Sequence, residues 1–342
     1  LKVKNTVVLQ LNWRLEMNRF EIILEAFAAG DALGMPTEFM TYRQIKRKFG
    51  FVSELIDPKY SMIHSKGLKL GEVTDDTEQV LYLIEEYHKS KNFSEETVKR
   101  ALLRWFKECK PDEKGYIGPS TKKSIEYFDK GIEVEANGTT SGAPMRVLAP
   151  VLYHMDKDES SLITSIINCV IPTHNTNLAI ESSLAVGFAY YYASKGANTN
   201  EIIDAAIKGA KIGERLTEKE FVGPSIAERL KIIKQYIPEA DEVDKFLQKI
   251  YYIFGTTMEA VDVAGAAIAI GTYCKDDVWL AIRMGASIGG DTDTIAAIAG
   301  ALSAFQANSH NIPKDIIHLI QNENNISFKK YAKFLEEVDK FD

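Results

Sequence analysis

The sequence predicts an all-α protein organised as a single domain, and three observations predict it. Apolar residues recur at helical spacing through most of the 342 residues. Alternation that would mark a strand is confined to the short, isolated stretches 3–11 and 51–57. Hydrophobic residues make up 45% of the chain, enough for a sizeable core, and no linker rich in Pro, Gly or Ser divides it. No fixed-period repeat or low-complexity tract is present.

The elements follow in order. Residues 1–17 read as a peripheral segment ahead of a domain over 18–342. "LKVKNTVVLQLNWRLEMN" is not read as a signal peptide, because Gln10 and Asn12 interrupt the apolar run and no small-residue cleavage site follows. Phe20, Ile23, Leu24, Phe27 and Ala28 then mark one helix face, with Gly30 as a plausible stop. Residues 50–72 form a long irregular connection, a kind of loop that is often functional. A helix is expected over 77–88, with Asp75 and Glu78 spaced as a capping box. Ser94 is a natural N-cap for the next helix, which places Val98, Ala101, Leu102, Trp105 and Phe106 on one face. Glycine-containing loops are expected over 111–120 and 135–144. Further helices are expected from Thr176 to near Gly196 and over 201–211, 224–236 and 241–254, and then over 258–272, 276–287, 293–307 and 313–321.

Charge and cysteine usage narrow the partners and the setting. A formal net charge of -7 gives no reason to expect nucleic acid or an acidic membrane as partner. No run of about 18 uninterrupted apolar residues suggests a spanning helix. Cys109, Cys169 and Cys274 are odd in number and far apart, which disfavours a disulfide framework or a zinc site and fits a reducing, cytoplasmic compartment.

The unusual chemistry sits at helix ends. "AAGDALGMPTEF" carries Asp31 and Glu38; "TDDT" carries Thr74, Asp75, Asp76 and Thr77; "PTHNTN" carries His174; "SIGGDTDTIAAIAGAL" carries Asp291, Asp293 and Thr294. Each admits a plain reading: Asp291 or Thr292 can N-cap a helix, and a lone loop histidine is usually only hydrogen-bonded. Together they say more. A cap needs one side-chain oxygen, whereas "TDDT" and "DTDT" each offer two carboxylates and two hydroxyls in four residues. Adjacent carboxylates repel unless a cation neutralises them. Mg²⁺ takes about six oxygen ligands of these types. If the fold joins clusters lying more than 200 residues apart, a binuclear magnesium site results, a recurrent hydrolytic device with ions about 3.5–4 Å apart. Gly289 and Gly290 then let the backbone approach a ligand or take positive φ.

Taken in this order, "GDALGMPTE", "TDDT", "SGAPMR", "TH" and "GGDTDTIAAIAGAL" resemble the ADP-ribosylglycohydrolase family over about residues 18–320. The resemblance implies an all-α orthogonal bundle with two Mg²⁺ or Mn²⁺ ions in a central cleft. It also implies hydrolysis of the bond between ADP-ribose and an acceptor, either a protein side chain or a small group. By it, Thr74, Asp75, Asp76, Asp291, Asp293 and Thr294 match the metal motifs, with Asp293 as bridge. Glu38 matches an acid placed to contact metal or activate water, and Asp31 the Asp of the first motif. Gly118, Ser120, Gly142, Met145 and His174 would line the ADP-ribose, alongside Gly289 and Gly290. Arg146 reads either as an anion ligand or as a structural ion pair beneath the site.

Three stretches depart from the family pattern, and none removes a residue of the metal motifs. Ser141-Gly142 replaces Asn-Gly, Tyr116 stands where some arginine-directed members carry Asp, and "SAFQANSHNIP" replaces a glycine-containing continuation. Two other readings remain at this level. One is hydrolysis of another glycoside, such as O-acetyl-ADP-ribose or a nucleoside derivative. The other is a non-catalytic, crystallin-like ADP-ribose-binding protein.

Overall fold

The protein is described by a computed structural model covering residues 18–63, 67–133, 135–237 and 242–337. The peripheral segment 1–17 and the strand candidate 3–11 lie outside these residues. Among the described residues there are 17 helices and no strand; the other strand candidate, 51–57, is irregular chain.

Four helices make the centre, and composition explains why. α1 (Arg19–Gly34), α9 (Asn177–Ser194), α13 (Ala260–Cys274) and α15 (Thr292–Phe305) are buried around nearly their whole circumference. Helices apolar on all sides belong in an interior. Small residues let them approach closely. α1 and α15 run antiparallel, so a Cβ added at Gly30 would lie 2.4 Å from the carbonyl of Ala296, and one at Gly34 would lie 2.4 Å from the Thr292 oxygen. Gly30 is therefore a helix-crossing residue, and the helix continues through it to Gly34. The close crossing sets the C-terminus of α1, with Asp31, beside the N-terminus of α15, with Asp291 and Asp293.

Amphipathic helices wrap this centre. α3 (Asp75–Ser90) packs on α4 (Glu95–Cys109), α10 (Thr199–Leu216) on α9, and α14 (Val278–Ile288) on α15 and α1. The helices Tyr42–Lys48, Pro119–Phe128, Leu148–His154, Glu159–Val170 and Phe328–Glu336 were not anticipated; at 7 to 12 residues, each repeats its apolar period for only about two or three turns. The expected loop 111–120 includes the short helix Pro111–Lys114. The stretch expected as one helix over 241–254 is an α-helix over Val243–Lys249 that widens to a π-helix over Ile250–Phe254. No helix of the described residues is long and apolar enough to cross a membrane.

Candidate active site

The helix that begins at "TDDT" is capped by another helix, which sets up the site. α3 starts at Asp75 with Thr74 in the N-cap position, but no side chain of its own closes the cap. Asp31, fully buried on α1, does so instead. Its carboxylate accepts from the Thr74 N–H (3.0 Å), the Thr74 hydroxyl (2.7 Å), the Thr77 N–H (3.1 Å) and the Thr77 hydroxyl (2.6 Å). A buried carboxylate over the orphan donors of a helix start is well satisfied. The capping box expected from Asp75 and Glu78 is thus absent. Glu78 instead accepts from Trp105 Nε1 (2.7 Å) and the Tyr116 hydroxyl (2.8 Å). Asp75 and Asp76 are released from capping and line the cavity.

The second motif opens α15. Asp291 occupies the N-cap position of α15 without a side-chain cap bond, and its N–H donates to the Thr256 carbonyl at 2.9 Å. The Thr294 hydroxyl donates to Asp76 Oδ2 at 3.3 Å, joining motifs 218 residues apart. Thr292 and Thr37 fasten the same junction, their hydroxyls donating to the carbonyls of Gly34 (2.9 Å) and Ala286 (2.8 Å).

The result is two carboxylate triads that share one residue. Oxygens of Asp31, Asp76 and Asp293 lie within 4.8 Å of one another, and so do oxygens of Glu38, Asp291 and Asp293. Burial drives the carboxyls of Asp75, Asp76 and Asp293 well above the ordinary range, and their neighbours' charges add to it. One guanidinium lies beneath the cluster. Arg146, completely buried, donates to Thr173 (2.8 Å) and Thr121 (3.2 Å) and makes no ion pair among the described residues. Six carboxyl groups therefore face one buried cation. Asp76 Oδ1 is buried with no hydrogen-bond partner, an arrangement that costs free energy unless something is bound there. Hard divalent cations fit this donor set of carboxylates and hydroxyls.

The cavity above the triads has a volume of about 50 Å³. Of the sequence-predicted residues, Glu38, Asp75, Asp76, Asp291, Asp293, Thr294, Gly118, Gly142 and Met145 line it. Glu38 is delivered by an unusual turn: the next residue, Phe39, has φ 60°, and its N–H donates to the Gly290 carbonyl at 2.8 Å. A bulky residue in the left-handed region is strained, and such residues cluster at functional sites.

A family model of the ADP-ribosylglycohydrolases matches residues 15–340. The chain belongs to the ADP-ribosylglycohydrolase family. It is 26% identical over 312 residues to the uncharacterised Escherichia coli K12 protein YegU, an alignment covering 90% of this chain and 93% of that one. It is 23% identical to the ADP-ribosylarginine hydrolase Tri1 of Pseudomonas putida, covering 89% and 74%. A solved structure titled ADP-ribosylglycohydrolase-related protein complex superposes with a TM-score of 0.64 at 19% identity, over 94% of this chain and 97% of that one. The fold class and the family expected from the motifs are both found, and the family makes the chain a hydrolase of ADP-ribose conjugates.

Within this ADP-ribosylglycohydrolase several expected site residues lie behind the cavity rather than in its wall. Asp31, itself a member of one triad, faces Thr74 off the cavity lining. Ser120 sits in the first turn of the helix Pro119–Phe128, off the lining. His174 is fully buried, with its ring nitrogens bonded to Thr173 (2.6 Å) and Thr140 (3.0 Å); a Cβ at Gly138 would fall 2.2 Å from its ring. It braces the 138–142 loop, and burial, with Arg146 nearby, keeps it neutral. Gly289 and Gly290 do take positive φ, both 86°, as expected. They approach protein rather than ligand: added Cβ atoms would lie 2.5 Å from the Tyr42 nitrogen and 1.8 Å from the Thr256 carbonyl oxygen. Arg146 takes the structural place beneath the site, but bonded to threonines instead of a carboxylate. Thr121, Thr140 and Met258 complete the lining and were missed, as were Tyr116 and Ser141, noted only as departures. Threonine, serine and methionine are too common in loops to stand out singly.

Proposed function

We propose that this ADP-ribosylglycohydrolase uses two divalent cations, Mg²⁺ or Mn²⁺, to cleave the glycosidic bond of an ADP-ribose conjugate. The observation that carries the reading is the pair of carboxylate triads meeting at Asp293. Asp76, Asp291, Asp293, Asp75 and Thr294 would hold the ions, with Thr74 and Asp31 orienting them from behind. When bound, such ions supply Lewis-acid polarisation of ligand oxygens.

The chain's own residues do the rest. Glu38, at the cavity wall, takes a proton from the water that attacks the anomeric carbon. The bond from that carbon to the acceptor breaks, the water oxygen joins the carbon, and the proton passes to the departing acceptor. Backbone N–H groups of the loops at Gly118 and Gly142 face the ADP-ribose. A cavity of about 50 Å³ encloses only the reacting end, leaving the remainder of the conjugate outside it.

The wall formed by Tyr116, Met145 and Met258 adds no carboxylate of its own. The Tyr116 hydroxyl is committed to Glu78. This supports an uncharged acceptor, as in an O-linked side chain or O-acetyl-ADP-ribose, over a guanidinium. The test is to incubate the full chain with Mg²⁺ and ADP-ribosyl-arginine, an ADP-ribosyl-serine peptide or O-acetyl-ADP-ribose, following free ADP-ribose. EDTA and Glu38→Ala are the controls. Release from an O-linked conjugate, lost in both controls, is expected. Release that survives EDTA would refute the two-cation reading, and preference for the arginine conjugate would refute the acceptor assignment.

A further inference from the structure

We infer that Asp262 is a positioning residue for the cleft, acting through the strap 255–259 that ties the metal-motif loop to the loop carrying Ser141. The strap touches both sides of the site. On one side the Thr256 carbonyl accepts the Asp291 N–H at 2.9 Å. On the other, the Met258 carbonyl accepts the Ser141 N–H at 2.7 Å, the Ala260 N–H donates to the Thr139 carbonyl at 2.9 Å, and Thr140 and Glu259 form an antiparallel bridge. Met258 itself reaches the cavity wall. Five residues thus hold the backbone of an expected cation ligand and the backbone of the opposite wall.

What fixes the strap is one side chain outside the cavity. Asp262, in the first turn of α13, accepts from the Thr257 hydroxyl (2.7 Å) and the Thr257 N–H (3.3 Å). Its other oxygen takes the guanidinium of Arg229, from the helix Ile226–Tyr236. The chain enters the strap at Gly255, with φ 86°, where an added Cβ would lie 2.7 Å from Asp262 Oδ2. The Asp262 side chain is only 11% exposed, so its partners are held in one arrangement. A charge-assisted, largely buried clamp of this kind fixes geometry well. The strap thus adds a second tie between Asp291 and Ser141, whose side chains also hydrogen-bond directly, and it is set by a residue that meets neither substrate nor metal.

The test is Asp262→Asn in the full chain, because an amide oxygen can serve Thr257 or Arg229 but not both. Hydrogen–deuterium exchange is read first, since it needs no ligand. Peptides covering 139–145 and 288–292 are expected to exchange about tenfold faster together, with the central helices unchanged. Mn²⁺ affinity, read by calorimetry, is expected to weaken about 10–100-fold, as when groups supporting a metal ligand are lost. This second readout rests on the two-cation reading. Wild-type protein that binds no Mn²⁺ would refute that reading and leave the exchange result to decide the strap. Unchanged exchange in both segments, or a uniform rise across the whole chain, would overturn the inference. If Asp262→Asn does not fold, Thr257→Val removes only the hydroxyl contact; faster exchange in the same two segments supports the strap, and none overturns it.

Discussion

Individual residues at this site are defined by which polar atoms are already satisfied. Asp31 has spent its oxygens on Thr74 and Thr77, whereas Asp76 Oδ1 has no partner. Carboxylates of the same type in the same cluster therefore play different parts. Asp293→Ala should abolish binding of Mg²⁺ and Mn²⁺ and remove hydrolysis, because Asp293 belongs to both triads, while far-UV circular dichroism stays helical. Hydrolysis at the wild-type rate in that variant would eliminate Asp293 as the shared ligand. Asp31→Ala should act differently. It strands two buried N–H groups and two buried hydroxyls, so in EDTA it is expected to lower unfolding stability by about 1–3 kcal/mol. Denaturant melts of the two variants side by side in EDTA separate ligand from support: the larger loss belongs to Asp31→Ala, and equal losses would mean that the cap contributes little.

At the scale of elements, the site depends on how closely α1 meets α15. A Cβ at Gly34 would come within 2.4 Å of the Thr292 oxygen and 2.5 Å of the Asp293 Cα, and both are backbone that cannot swing aside. Gly34→Ala should therefore cost about 1–3 kcal/mol of stability, or more, and weaken Mn²⁺ binding as the helices separate. Gly118→Ala is the control: nothing lies within 4 Å of its added Cβ, and its stability should stay within about 0.5 kcal/mol of wild type. A Gly34→Ala protein as stable as Gly118→Ala would refute the close-crossing argument. The same crossing shows what sequence could and could not convey. The acidic motifs were legible because two carboxylates crowded into four residues need a reason, and the long helices because their apolar period repeats many times. Gly30 was misread as a helix stop because a glycine that admits a neighbouring helix and one that ends its own look alike in sequence. The cap on α3 was misassigned to Asp75 and Glu78 because the true one comes from Asp31, brought there only by the tertiary fold. The strap over 255–259 left no mark at all, since it works through carbonyls that every residue possesses.

For the whole molecule, the acidic centre makes folding, protons and cations interdependent. Burial and mutual repulsion raise the carboxyls of Asp75, Asp76 and Asp293 well above their ordinary range in the metal-free fold. A carboxyl whose folded pKa exceeds its unfolded value, near 3.9 for Asp, keeps its proton longer in the folded state. That contribution to stability is complete below the unfolded value and disappears as pH rises through the folded one. Divalent cations act in the opposite sense, because they bind the ionised form and bind it only in the fold. The rise in melting temperature produced by Mg²⁺ or Mn²⁺ over EDTA should therefore be larger at about pH 8 than at about pH 5.5. Taking the difference at each pH cancels groups that titrate far from the site. Asp293→Asn gives the matching result without metal: with one repelling charge removed, its melting temperature in EDTA should exceed wild type, and by more at the higher pH. A metal-induced shift independent of pH, or an Asp293→Asn protein less stable than wild type in EDTA at about pH 8, would show that the centre is not held together against its own charge.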